Sequence, residues 1–203
     1  MNNTLLEINN IYFIFLMMAA AVPLGFFAGF FGIFGGLISV PFLFFVFEAF
    51  NVNKDYLMHL SVGTAFSITI LTATASVLTH RKYDAVDFNI IKNYGTFVII
   101  GVFSGTLMAA LMNTKTLLFF FSVVVYFFGA YLLLQSEKKK KIKKKFNIFL
   151  RIIFGFLSGL ISAPMGITGA MMNVPILRYF GYPINLAIGS SAAIGFIIAL
   201  FGS

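Results

Sequence analysis

The chain has 203 residues, of which 60% are apolar and only 10% charged; phenylalanine alone fills 28 positions, and the net charge is +8. A soluble domain of this length could not hide so much apolar surface, so composition points to a membrane protein. Cysteine and tryptophan are both absent, which excludes disulfide frameworks, thiolate metal sites and cysteine nucleophiles, and leaves Tyr and Phe to form any interfacial aromatic belt.

Residues 11–50 form the first apolar stretch. As one straight helix its roughly 40 residues would run about 60 Å, twice the hydrocarbon thickness. The glycines Gly32, Gly35 and Gly36 divide it into two arms, which predicts a hairpin broken inside the membrane. Residues 55–79, 88–112 and 116–135 follow, each with about 20 mostly apolar residues, enough to cross as a helix. The next block, EKKKKIKKK at 137–145, holds seven lysines and one glutamate and so carries +6 of the net +8. A lysine run between apolar segments reads as a cytoplasmic loop that can also touch anionic headgroups. With no aromatic interleaving it is not a nucleic-acid signal. The loop 80–87, with Arg81 and Lys82, lies two crossings earlier and falls on the same side. Residues 146–180 then repeat the broken pattern at Pro164, Gly166 and Gly169, and the chain ends in a further apolar helix.

Two stretches of the chain match each other. GIFGGLISVP from Gly32 and GITGAMMNVP from Gly166 are identical at five of ten positions at an offset of 134. Each is preceded by a Gly-rich approach and followed by a small-residue segment, VGTAFS from Val62 and IGSSAA from Ile188. The expected organisation is therefore an all-α polytopic membrane protein with two internal repeats, each opening with a Gly-broken helical hairpin. Residues 1–135 form the first repeat, 136–146 the basic cytoplasmic loop and 147–203 the second repeat. If each broken segment enters and returns, the repeats are inverted; if each crosses once, they are parallel. Charge favours the inverted form, which returns Arg178 to the cytoplasmic side and leaves an N-terminus without Lys or Arg outside. The first copy spans about 125 residues and the second 57, so the second repeat is expected to be incomplete, with two more apolar segments to follow.

Chemistry must come from few candidates. Glu48, Asp55, Asp84, Asp87 and Glu137 all sit at segment ends or in loops, so no buried carboxylate relay is visible. What the sequence offers is helix breaks. A half-helix that begins at a break presents unpaired N–H groups and about half a positive charge, suited to an oxyanion. The expected substrate-binding residues are Gly32, Gly35, Gly36 and Ser39 in the first copy, and Gly166, Thr168, Gly169 and Asn173 in the second. Thr64, Ser67, Ser190 and Ser191 either face the same site or bond the carbonyl one turn back. For Gly25, Gly29, Gly155 and Gly159, close helix packing is the expected role. His59 and His80 read as interfacial or solvated groups.

The motifs GFFAGFFGIFGGLISVP and GFLSGLISAPMGITGAMMNVP, with VGTAFS after the first and a basic loop between the halves, resemble those of the TauE/SafE family of sulfite and organosulfonate exporters. The resemblance covers nearly the whole chain, with departures at Phe34, Thr168 and Ala170, where the family commonly has Gly. It implies a secondary transporter of small anions in the inner membrane, with no catalytic residue, no metal and no cofactor. The implied partners are a small anionic substrate and the bilayer, with anionic headgroups near the loop from Lys138 to Lys145, and no nucleic acid. A structural or assembly subunit is the alternative class. A membrane-embedded enzyme would need a nucleophile with a base or a metal cluster, which two isolated histidines do not supply.

Overall fold

The computed structural model describes residues 35–134, 147–168 and 170–203, together with ten positions between 12 and 26. Gly25, Gly29, Gly32, Gly169 and the lysine block lie outside the described residues. Among those described there is no strand; the chain is helical throughout, with short turns. The helices are α1 (Gly35–Ala49), α2 (Leu57–Lys82), α3 (Phe88–Ala110), α4 (Thr114–Leu134), α5 (Ile148–Met165), α6 (Ala170–Tyr179) and α7 (Ile184–Gly202). Five of them, α2, α3, α4, α5 and α7, are long and apolar enough to cross a bilayer, while α1 and α6 are too short. The three spans expected between the two broken segments are thus α2, α3 and α4, with boundaries displaced by at most three residues.

Local sequence explains the irregular places. Asp87 caps α3, its carboxylate accepting from the backbone of Asn89 at 2.8 Å and Ile90 at 3.4 Å. One turn later α3 widens into a π-helical stretch, Ile91–Gly95, which carries Tyr94. α5 ends where Gly166 takes φ +65°, its N–H and that of Ile167 turning back to the carbonyls of Ala163 and Ser162. This left-handed ending is the one glycine allows without strain. The break in the second segment therefore starts at Gly166, while Pro164 stays inside the last turn of α5.

The tightest pair is α3 with α5, which run parallel. A Cβ at Gly101 would fall on the Phe156 carbonyl oxygen, and one at Gly159 on that of Val98. At Gly105 a Cβ would lie 2.6 Å from the Leu160 oxygen, and at Gly155 2.9 Å from Phe97 Cβ. Four glycines thus bring two backbones into direct contact, the packing that small residues make available between membrane helices. α2 and α7 run antiparallel, with Gly189 against Ala85 and His80 at one end and Gly202 2.9 Å from the Phe66 ring at the other. Val40, Leu43, Val62, Phe66, Val98, Val102, Ile194 and Ile198 form the core between these pairs. Phe119, Leu111 and Leu133 are among the large side chains turned outward, as a lipid-facing surface requires.

Candidate functional site

The first turn of α1 meets the break between α5 and α6. Gly36, in the first turn of α1, lies so close to the second break that a Cβ there would fall on the Gly166 carbonyl oxygen and 2.9 Å from Ile167 Cα. Gly166 in turn packs beside Val40 of α1 and Val62 of α2, at 2.8 and 3.2 Å from its own Cβ position. From this contact the helices leave in opposite directions. α1 emerges at the turn 50–56, before Leu57 of α2, whereas α6 emerges at the turn 180–183. That second turn belongs to the other end of α2, because α7 begins there and sets Gly189 against Ala85. α5 starts at the same end, since Arg151 shares a cavity with Asn89 and Tyr182. The second broken segment thus returns to the end from which it entered. Pro41 and Pro175 each lie inside their half-helix, so the carbonyls of Leu37 and Met171 have no intrahelical amide from that position.

The expected residues fall into three groups. Gly36, Gly166 and Thr168 are brought together at the breaks; Thr168 is buried and lies 3.1 Å, through its Cβ, from the Cβ position of Gly195 on α7. Gly35 is the first residue of α1, and Ser39 and Thr64 are half-buried on α1 and α2. Ser67 is exposed and donates to the Gly63 carbonyl one turn back at 3.0 Å. Gly32 and Gly169 lie outside the described residues.

Asn173, Ser190 and Ser191 form the third group, all fully buried. Thr168 packs against Gly195 of α7, and Asn173, Ser190 and Ser191 lie on the helices that follow. Asn173 Oδ1 accepts from Tyr94 Oη and Ser158 Oγ, both at 2.7 Å. These two bonds fix the amide plane and leave Nδ2 as a buried donor without a hydrogen-bond partner. Ser190 Oγ accepts from the backbone N–H of Asp87 at 3.0 Å, tying α7 to the start of α3, and Ser191 Oγ is buried without a partner. An unsatisfied buried amide or hydroxyl costs about 1–3 kcal/mol. Asn173 Nδ2 and Ser191 Oγ are two such groups. No Asp or Glu among the described residues is buried.

Several contributors escaped the sequence. Tyr94 is in contact with Asn173 across 79 residues, a pairing that no local pattern announces. Gly101 and Gly105 form half of the α3–α5 crossing, and only their small-xxx-small spacing marked them. Arg151 stands in the first turns of α5 and lines a cavity; coming just after the lysine block, it reads as one more flanking charge. His59 Nε2 donates to the Ala109 carbonyl at 3.0 Å, linking α2 to the end of α3.

Fold and geometry together define a multi-pass helical membrane protein with a re-entrant hairpin whose break meets a second half-helix in the interior. The sequence profile of the sulfite exporter TauE/SafE family matches residues 17–203, and the chain belongs to that family. Curated relatives carry matching names. A Haemophilus influenzae protein named a probable membrane transporter protein is 29% identical over 190 residues, covering 94% of this chain and 72% of the relative. Proteins of the same description from Methanocaldococcus jannaschii and Bacillus subtilis are 23% and 25% identical, covering 88% and 85% of this chain and 68% and 70% of theirs. No solved structure matches the chain. The chain is therefore a membrane transporter by family.

Proposed function

We propose that the protein is a secondary transporter of small anions, sulfite and organosulfonates first among them, that exports its substrate and binds it where the N-terminal ends of α1 and α6 converge. The observation that carries this is the contact of Gly36 with Gly166 and Ile167, which sets the first turn of α1 against the break that precedes α6. Backbone N–H groups there supply donors and partial positive charge without the cost of burying a lysine or arginine. Gly35, Gly36, Ser39, Gly166, Thr168 and Asn173 are the proposed binding residues, with Ser190 and Ser191 behind them. On this reading the two broken segments are inverted copies, in keeping with α1 and α6 leaving toward opposite ends. The protein acts as a carrier and not as a catalyst. The lysine block lies in the cytoplasm against anionic headgroups, and together with the loop 80–87 it sets the orientation.

The test is sulfite movement in vesicles of known sidedness. Right-side-out vesicles preloaded with sulfite should lose it faster with the protein than without, in a saturable way. Loss at the protein-free rate for sulfite and for a simple sulfonate would refute the substrate class.

A further inference from the structure

The half-helix α6 carries a polar side chain in its first turn, Asn173. At the offset of 134 that aligns the two motifs it answers to Ser39, so the first copy has a hydroxyl where the second has an amide. A hydroxyl donates or accepts through one atom, whereas an amide does the two through different atoms. Which of those atoms is offered to a ligand decides what can bind: the oxygen suits a cation, the NH2 group an anion.

The surroundings of Asn173 make that choice. The residue is fully buried, and its Oδ1 accepts from Tyr94 Oη of α3 and from Ser158 Oγ of α5, both at 2.7 Å. That length is usual for an O–H donor and short for an N–H donor, which favours about 2.9–3.0 Å, so the oxygen and not the nitrogen faces the two hydroxyls. The Tyr94 contact is also shorter than its 3.3 Å approach to the Phe154 carbonyl, so its single proton goes to Asn173. Both donors stand on the tightest helix pair, where a Cβ at Gly155, one turn before Ser158, would lie 3.1 Å from the Tyr94 carbonyl oxygen. The amide cannot turn over without giving up both bonds. Its Nδ2 is left buried with no hydrogen-bond partner. Packing alone gives no reason to keep such a donor, because buried polar groups are normally paired.

We propose that Asn173 is a specificity-determining residue of the anion site: with its oxygen occupied by Tyr94 and Ser158, the amide presents donors only, and Nδ2 bonds an oxygen of a sulfite or sulfonate group while refusing cations. Tyr94 and Ser158 are positioning residues that act through the amide. The assignment rests on the anion-transport reading, and its test separates the two.

The probe is methanesulfonate, which keeps its negative charge in acid and alkaline buffer alike, and its affinity is measured by calorimetry on the purified full-length protein. N173D retains the oxygen to which Tyr94 and Ser158 donate and exchanges the NH2 group for a second carboxyl oxygen. Relative to wild type at the same pH, its affinity should be about 10–100-fold lower in alkaline buffer, the worth of one hydrogen bond to a charged group. It should recover in acid, where the carboxyl carries a proton to donate. Adding Y94F and S158A to N173D removes two hydrogen bonds to the charged form and should move that recovery toward higher pH, a shift that a merely structural tyrosine and serine would not produce. Should N173D not purify as a folded protein, N173S and N173A decide: N173S keeps a donor and should bind about tenfold more tightly. Wild-type affinity in N173D at every pH, or equal affinity in N173S and N173A, would overturn the role of Asn173 and leave the anion site standing. A recovery that Y94F and S158A do not move would overturn the positioning role of those two residues. Absence of saturable binding of methanesulfonate and of sulfite to wild type would overturn the anion reading and this assignment together.

Discussion

Replacement of Gly36 by alanine separates close approach of the two breaks from ordinary helix packing. The new methyl would sit on the Gly166 carbonyl oxygen and 2.9 Å from Ile167 Cα, so the obstructing atoms are backbone and cannot rotate away. Relief requires the start of α1 and the 166–168 break to move apart, an overpacking cost of about 1–3 kcal/mol. Any glycine-to-alanine change in a helix also gains up to about 1 kcal/mol of propensity, which masks part of that cost. Gly63→Ala corrects for it, because a Cβ there meets nothing within 4 Å. The gap between the two variants, measured by reversible unfolding in mixed micelles, should therefore be about 1–3 kcal/mol, with Gly36→Ala the less stable. Sulfite flux should fall in the same variant. Equal stability and equal flux in both would mean that the breaks do not meet as described.

Gly166→Ala should cost more than Gly129→Ala, because Gly166 holds φ +65° and faces Val40 and Val62, while Gly129 has open space around it; the left-handed conformation alone is worth about 1–2 kcal/mol, read from the same unfolding assay. Tyr94→Phe and Ser158→Ala each remove one donor to Asn173 Oδ1, and each should destabilise by about 0.6–1.7 kcal/mol; an effect under about 0.3 kcal/mol in both would show that the cluster is not bonded this way. Cysteines placed singly at Tyr83, which is exposed, and Tyr182 should react with an impermeant reagent from one side of the membrane and cysteines at Asn53 and Thr114 from the other. Labelling of Asn53 and Tyr182 from the same side would contradict the return of the second hairpin.

Much of the architecture was legible because its causes are local. The length of an apolar run fixes whether it can cross, so α2, α3 and α4 fall where hydropathy put them. A glycine cluster marked the second break, and the structure supplies the reason in the left-handed Gly166; in the first segment Gly35 and Gly36 open α1, and what precedes them lies outside the described residues. What stayed hidden depends on partners distant in sequence. Gly101 and Gly159 touch the other helix's backbone, while Gly63 and Gly129 touch nothing, and all four look alike in an apolar segment. Ser67 and Ser191 likewise read the same, yet one spends its hydroxyl on its own helix and faces outward, while the other is buried without a partner. The Tyr94 bond to Asn173 and the Arg151 cavity arise only once α3, α5 and α6 are side by side. The duplication itself stays a sequence observation, to which the opposed exits of α1 and α6 lend a geometry.

The most direct measurement of the central claim is sulfite affinity, by calorimetry on the purified protein, for wild type, Gly35→Val and Gly63→Val. Gly35 begins α1, next to the Gly36 contact with the second break, and on the proposed reading a branched side chain there closes the approach to the backbone N–H groups; Gly63 has open space around it. Saturable binding to wild type and Gly63→Val, lost in a Gly35→Val protein that still inserts and purifies as a folded species, is the predicted result. Wild-type affinity in Gly35→Val would place the anion elsewhere and leave the meeting of α1 with the second break as packing alone.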